Sequence, residues 1–199
     1  AAGRPHAWAE RCRSAHTRRD QALFAIVQGG LDAELRRWSA RTLREMDFPG
    51  YAIGGLSLGE AKEQTWRMVD VVTAELPGQK VRYLMWVGSP DDVLEGIARG
   101  VDLFDSSFPT RIARNGAFLT PEGRVNIRNA RFQEEGGPVL PGCDCPACEH
   151  FSAGYLTHLF RAEELLAYYL ASLHNLRFML RLAEEARVAI AEGRFASLA

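Results

Sequence analysis

Between Ala22 and Ser107 the chain alternates short, unbroken apolar runs with longer segments of helical period, which leaves few architectures open to it. The runs are "ALFAIVQGG", "GYAIGGL", "VRYLMWVG" and "VDLFDSS". None alternates apolar with polar residues internally, so each reads as a strand buried on both faces. Between them, Leu35, Trp38, Leu43 and Met46 fall at helical spacing until "FPG" stops the helix. A second helix runs from about Glu60 to Leu76 with Met68, Val69 and Val72 on its inner face. A third has Ser89 as cap, Pro90 at its first position, Asp91 and Asp92 in its first turn and Gly100 beyond its end. Strand, helix, strand, helix predicts an α/β fold with a parallel sheet covered by helices, either doubly wound or barrel.

In both architectures function gathers at the carboxyl ends of strands. Those ends carry Gln28-Gly29-Gly30, Gly54-Gly55, Met85-Trp86 and Asp105, sparse polar groups among glycines that admit a flat ligand. In "VDLFDSSFPTRIARNG" the last strand stops on Asp105 and places Arg111 and Arg114 in the Ser/Pro/Asn/Gly-rich stretch just beyond it. An aspartate there can end a strand by bonding turn amides. It can also be a nucleophile, with the cations awaiting phosphate. Asp102 lies an odd number of residues from Asp105 and so points to the opposite face, which excludes it as a partner.

Beyond Asp105 the pattern changes. "GAFLTPEGRVNIRNARF" predicts a hairpin around Pro121-Glu122-Gly123, a loop leads to "CDCPAC", and the chain from Phe151 onward is mostly helical. Cys143, Cys145 and Cys148 crowd one short loop, which in a reducing compartment indicates metal rather than a disulfide. A tetrahedral zinc needs a fourth ligand, and His150, His158 and His174 are the candidates downstream. A shell closed by four protein ligands is structural, because no position remains for water.

With 24 basic and 25 acidic residues among 199, the formal charge is −1, so nucleic-acid binding would need a local patch. No apolar run is long enough for a bilayer and the first residues lack a signal-peptide core, which predicts a cytoplasmic protein without membrane contact.

Taken in order, "VQGG", "YAIGGLSLGE", "YLMWVGSP", "DLFDSSFPTRIARNG", "GRVNIRNARF" and "CDCPAC…LHNL" resemble the bacterial tRNA-guanine transglycosylases, or queuine tRNA-ribosyltransferases. The resemblance runs from Trp8 to Phe195 and corresponds to the carboxyl-terminal half of such an enzyme. It implies half of a (β/α)8 TIM barrel with an inserted zinc-binding subdomain and terminal helices. The expected divisions are 1–116 for the later barrel strands, 117–150 for the hairpin and zinc loop, and 151–199 for the helices.

The implied activity is exchange of the wobble guanine of tRNA for a deazaguanine precursor of queuosine. Asp105 corresponds to the nucleophile that forms a covalent bond to ribose. Gln28, Gly54 and Gly55 correspond to groups that bond the purine edge, Met85 to one covering its face, and Glu60 to the glutamate of the loop that accommodates the aminomethyl group. Arg111 and Arg114 correspond to arginines holding the anticodon loop. Cys143, Cys145, Cys148 and His174 correspond to the ligands of a structural zinc.

The resemblance further implies a missing amino-terminal half that carries the strand-end general acid/base, and a homodimer when complete; this chain alone is expected to be inactive. Trp86 stands where the family has glycine, so its indole must point away from the pocket or narrow it. The alternative is a non-catalytic, zinc-containing tRNA-binding or accessory subunit.

Overall fold

Each of the four apolar runs forms a strand in the computed structural model, which describes residues 3–198; residues 1, 2 and 199, at the outer ends of the expected segments, lie outside it. Two compact units make up the described chain, one ending at Ser106 and one spanning Ser107–Leu198.

In the first unit β1 (Phe24–Val27), β2 (Gly50–Ile53), β3 (Val81–Leu84) and β4 (Leu103–Phe104) form a parallel sheet in sequential order. Val27 pairs with Ile53, Ile53 with Leu84, and Leu84 with Phe104. The helices α2 (Ala33–Glu45), α3 (Lys62–Thr73) and α4 (Pro90–Ala98) connect the strands. One face of the sheet, with Val27, Tyr51, Ile53 and Leu84, packs against Leu43, Met68, Val69 and Val72. The cap of α4 is as expected, Ser89 accepting from the Asp92 amide.

Because side chains alternate along a strand, Ile26, Val81 and Leu103 belong to the other face, where they are 41, 36 and 47% exposed. The unbroken apolar character of the runs therefore has two sources, and helices of this unit account for only one.

Two features differ from the helical pattern in the sequence. The residues α2 buries are Arg36, Ser39, Ala40 and Leu43, while Leu35 and Trp38 stay 42 and 46% exposed. Hydrogen bonds from Arg36 to strand-end carbonyls rotate that face inward. An additional helix, α1 (Gly3–Ala15), docks on α2 through a His6 Nε2–Ser39 Oγ hydrogen bond (2.9 Å) and a His6–Trp38 ring contact at 4.4 Å.

The second unit starts with α5 (Phe108–Arg114) and an antiparallel hairpin of β5 (Ala117–Thr120) and β6 (Gly123–Asn126). Thr120 pairs with Gly123, so Pro121 and Glu122 form the turn. A short three-ten turn at Ala130–Phe132 leads to the cysteine loop, then to α6 (Pro146–His150), α7 (Ala153–Arg161) and the 27-residue α8 (Leu165–Ala191). Phe118, Ile127, Leu156, Phe160 and Leu170 pack around the cysteines.

Asn175 of α8 is fully buried and stitches this unit together. It accepts from the Leu119 amide (2.9 Å) and donates to the Pro109 (3.0 Å) and Ala117 (2.9 Å) carbonyls. Asn175→Ala would strand three buried backbone groups, and a loss of about 3 kcal/mol is expected, read as a lower denaturant midpoint. Among the described residues no helix is long and apolar enough to cross a membrane.

Candidate active site and metal centre

Gln28, Gly54, Met85 and Asp105 each follow the last paired residue of their strand, so parallel register sets them in one row. The ladder continues into this row, with Gly54 N–H donating to Val27 (3.1 Å) and Met85 N–H to Ile53 (3.3 Å). The Gln28 carboxamide lies against the glycine pair. A Cβ added at Gly54 would stand 2.7 Å from Gln28 Nε2, and one at Gly55 2.5 Å from Gln28 Oε1. Gly55 also has φ of +68°, which favours glycine.

Asp105 is exposed, and its two oxygens differ. Oδ1 accepts from the Tyr83 hydroxyl (2.6 Å) and from the Trp86 amide (2.9 Å). Oδ2 takes part in neither of these bonds. The bond to Asp105, aided by burial and the carboxylate's charge, pushes the Tyr83 hydroxyl up to about 12. Trp86 has φ of +67° and leaves its indole 63% exposed. A left-handed conformation costs a bulky residue roughly 1–2 kcal/mol; here it turns the amide onto the carboxylate. Asp102 instead accepts from the Arg82 amide (2.8 Å), as expected for the opposite face.

Glu60 closes the loop after β2. Its carboxylate accepts from the Ser57 and Leu58 amides and from the Thr65 hydroxyl at 2.5, 2.9 and 2.7 Å. Burial raises its pKa, but the Thr65 and backbone bonds outweigh it and hold the group at about 2, against 4.5 for a free carboxyl. The sign follows: the loop's stabilisation is present above pH 4.5 and lost as pH falls towards 2. The Ser57 and Leu58 amide resonances should therefore titrate with a midpoint near 2; a midpoint at 4.5 would contradict the hydrogen bonding.

In the second unit Cys143, Cys145, Cys148 and His174 are buried with their ligand atoms within 4.8 Å of one another. His174 Nδ1 is 3.8, 3.5 and 3.3 Å from the three sulfurs. A tetrahedron with Zn–S of about 2.3 Å and Zn–N of about 2.05 Å has an S···N edge of about 3.6 Å. His174 Nε2 donates to the Leu119 carbonyl (2.8 Å), leaving the Nδ1 lone pair for a metal.

The thiols support the same assignment. Contact with Cys148 lowers Cys145, while burial pushes Cys143 up and contact with Cys145 pushes Cys148 up. Packed this closely, three thiolates need a cation among them. The four residues fit a structural zinc site, and an Arg177–Asp144 pair (2.8 and 2.9 Å) clamps α8 to the loop beside it. His150 is exposed on α6 and takes no part.

Arg111 and Arg114 stand three residues apart on α5, both exposed and without a carboxylate partner among the described residues.

The sequence profile of the family described as queuine tRNA-ribosyltransferase matches residues 1–199. The chain belongs to the queuine tRNA-ribosyltransferase family. A queuine tRNA-ribosyltransferase of Herpetosiphon aurantiacus is 57% identical over 194 residues, 98% of this chain and 50% of the relative. One from Dehalococcoides mccartyi is 56% identical over 96% of this chain and 49% of its own length. One from Bacillus mycoides is 54% identical over 94% of this chain and 50% of its own length. The chain spans about half the length of the curated relatives it matches.

Three groups beside the queuine tRNA-ribosyltransferase motifs escape a reading of the sequence: Tyr83, the Trp86 amide and Arg36. Tyr83 was detectable, since it lies two residues before Met85 on the same strand face. The Trp86 amide depends on a turn that no side chain announces.

Proposed function

We propose that this chain is the carboxyl-terminal half of a tRNA-guanine transglycosylase and supplies its nucleophile. The observation carrying this reading is an exposed Asp105 whose Oδ1 is anchored by two bonds that leave Oδ2 out, in the strand-end row of Gln28, Gly54 and Met85.

Oδ2 attacks C1′ of the wobble guanosine and the C1′–N9 bond breaks, its electron pair leaving with guanine. The base takes a proton from the aspartate that the resemblance assigns to the other half. The pyrrole nitrogen of the incoming deazaguanine then attacks C1′, returns its proton and displaces Asp105. The RNA backbone is never cut, as in the double displacement of retaining glycosidases. The guanine must first leave the stack.

Gln28 and Gly55 bond the purine edge. The Gly54 amide is already committed to Val27, so its part is to let the base approach. Met85 covers the base, Glu60 fixes the neighbouring loop, and Arg111 and Arg114 hold flanking nucleotides through their planar, forked guanidinium groups. Zinc, when bound, organises the hairpin and helices, and no step of the exchange passes through it.

Closure of a (β/α)8 barrel by the other half would cover Ile26, Val81 and Leu103. An apolar groove of about 660 Å³ beside β1, lined by Trp8, Leu23, Phe24, Ile26 and Leu35, supports this completion. We assign residues 117–150 to the inserted subdomain and the later helices to a homodimer interface, which would cover Leu180 and Ile190 of α8, 61 and 56% exposed. A cytoplasmic setting keeps the cysteines reduced.

The test joins this chain to the amino-terminal half of the Herpetosiphon relative and denatures the hybrid in the presence of tRNA. A covalent protein–RNA band is expected. A hybrid that binds tRNA yet traps no adduct would favour the accessory-subunit alternative and defeat this one.

A further inference from the structure

Arg36 is fully buried in the first unit beneath the ends of β1 and β2. Its Nε donates to the Gly30 carbonyl (2.6 Å), and Nη2 to the carbonyls of Gly54 (3.1 Å) and Gly55 (3.3 Å). Nη1 has no partner. Burial lowers the guanidinium to about 10, with the charge of Glu60 opposing the fall, so it remains cationic at neutral pH. An apolar side chain would fill the same space without the cost of desolvating a charge. The cation therefore calls for an explanation beyond packing.

Geometry supplies one. In a planar trans peptide the C=O and N–H point in opposite directions. With the Gly54 carbonyl held by Arg36, the Gly55 N–H of the same peptide is aimed away from the guanidinium. That N–H has no acceptor among the described residues, and the Gln28 carboxamide lies against the same glycine pair.

We propose that Arg36 is a positioning residue, a buried cation that polarises the Gly54–Gly55 peptide and presents the Gly55 N–H to the exocyclic oxygen of the base. Hydrogen bonds in series reinforce one another, in general by roughly 10–30% per bond. As the glycosidic bond breaks, negative charge spreads from the departing nitrogen to that oxygen, where a preset donor favours the transition state over the ground state. The inference rests on the transglycosylase reading for its ligand.

The experiment compares wild type, Arg36→Gln and Arg36→Lys in the hybrid with the Herpetosiphon half. Guanine and 2-aminopurine, which lacks the oxygen, serve as probes. For Arg36→Gln, kcat for guanine exchange should fall on the order of 10²-fold, while 2-aminopurine binding stays within about twofold, as expected if only the bond to oxygen is weakened. Arg36→Lys should recover part of the loss. In this chain itself the Gly55 amide proton should move upfield in Arg36→Gln. Equal weakening of both probes, or an unmoved Gly55 amide, would overturn the assignment. If Arg36→Gln does not fold, Arg36→Lys carries the same two comparisons. A wild-type hybrid without exchange would defeat the transglycosylase reading, and the Gly55 shift in the chain would still decide whether Arg36 polarises the peptide.

Discussion

Asp105→Asn is expected to abolish the trapped RNA adduct and to slow base exchange in the hybrid on the order of 10⁴-fold or more. The substitution isolates chemistry from structure. An asparagine carbonyl oxygen can accept from Tyr83 and the Trp86 amide as Oδ1 does now, so the turn after β3 keeps its anchor. Only the other oxygen changes, from an anion with a lone pair for C1′ to an amide nitrogen with none to give. Stability should move by less than about 0.5 kcal/mol, as for an exposed position with its bonds retained. Melting curves that coincide while the adduct vanishes would establish the nucleophile. An adduct that survives Asp105→Asn would place it elsewhere.

Loss of the metal should act on the opposite part of the chain. Cys145→Ser is expected to abolish stoichiometric zinc binding, and a chelator should reproduce the effect on wild type. Apparent zinc affinities of small closed sites amount to about 10–16 kcal/mol, comparable with the whole net stability of a domain, about 5–15 kcal/mol. The unit from Ser107 to Leu198 should then lose its cooperative transition and become open to proteolysis. The parallel sheet contains no ligand and should stay protected. Retained zinc in Cys145→Ser would refute the site.

How much of this was legible depended on whether chemistry and hydrophobicity pointed the same way. The strands, the Ser89 cap, the hairpin turn and the cysteine loop announce themselves, because apolar runs, capping residues and thiols each have one dominant use. The inner face of α2 does not. Its buried positions 36, 39, 40 and 43 have helical spacing, but an arginine and a serine occupy two of them, while Leu35 and Trp38 suggest a stripe one residue off. The carbonyls that Arg36 serves sit at glycine-rich strand ends, where nothing in the sequence shows that a donor is needed. The helix α1 gives no signal either, because it buries only His6 and so has no apolar period. Residue type identifies the three cysteines, yet the choice of His174 among three histidines comes from the resemblance; spacing alone leaves it open.

The row at the strand ends has a consequence for how such a site can change over time. Its members are aligned by backbone ladders, so a one-residue insertion in any strand would carry that strand's contributor to the far side of the sheet. A point replacement keeps this register, although at Gly54 any side chain would press on the Gln28 carboxamide, so those two positions must change together. Length changes are absorbed only in the connecting loops, and variation in natural sequences should concentrate there.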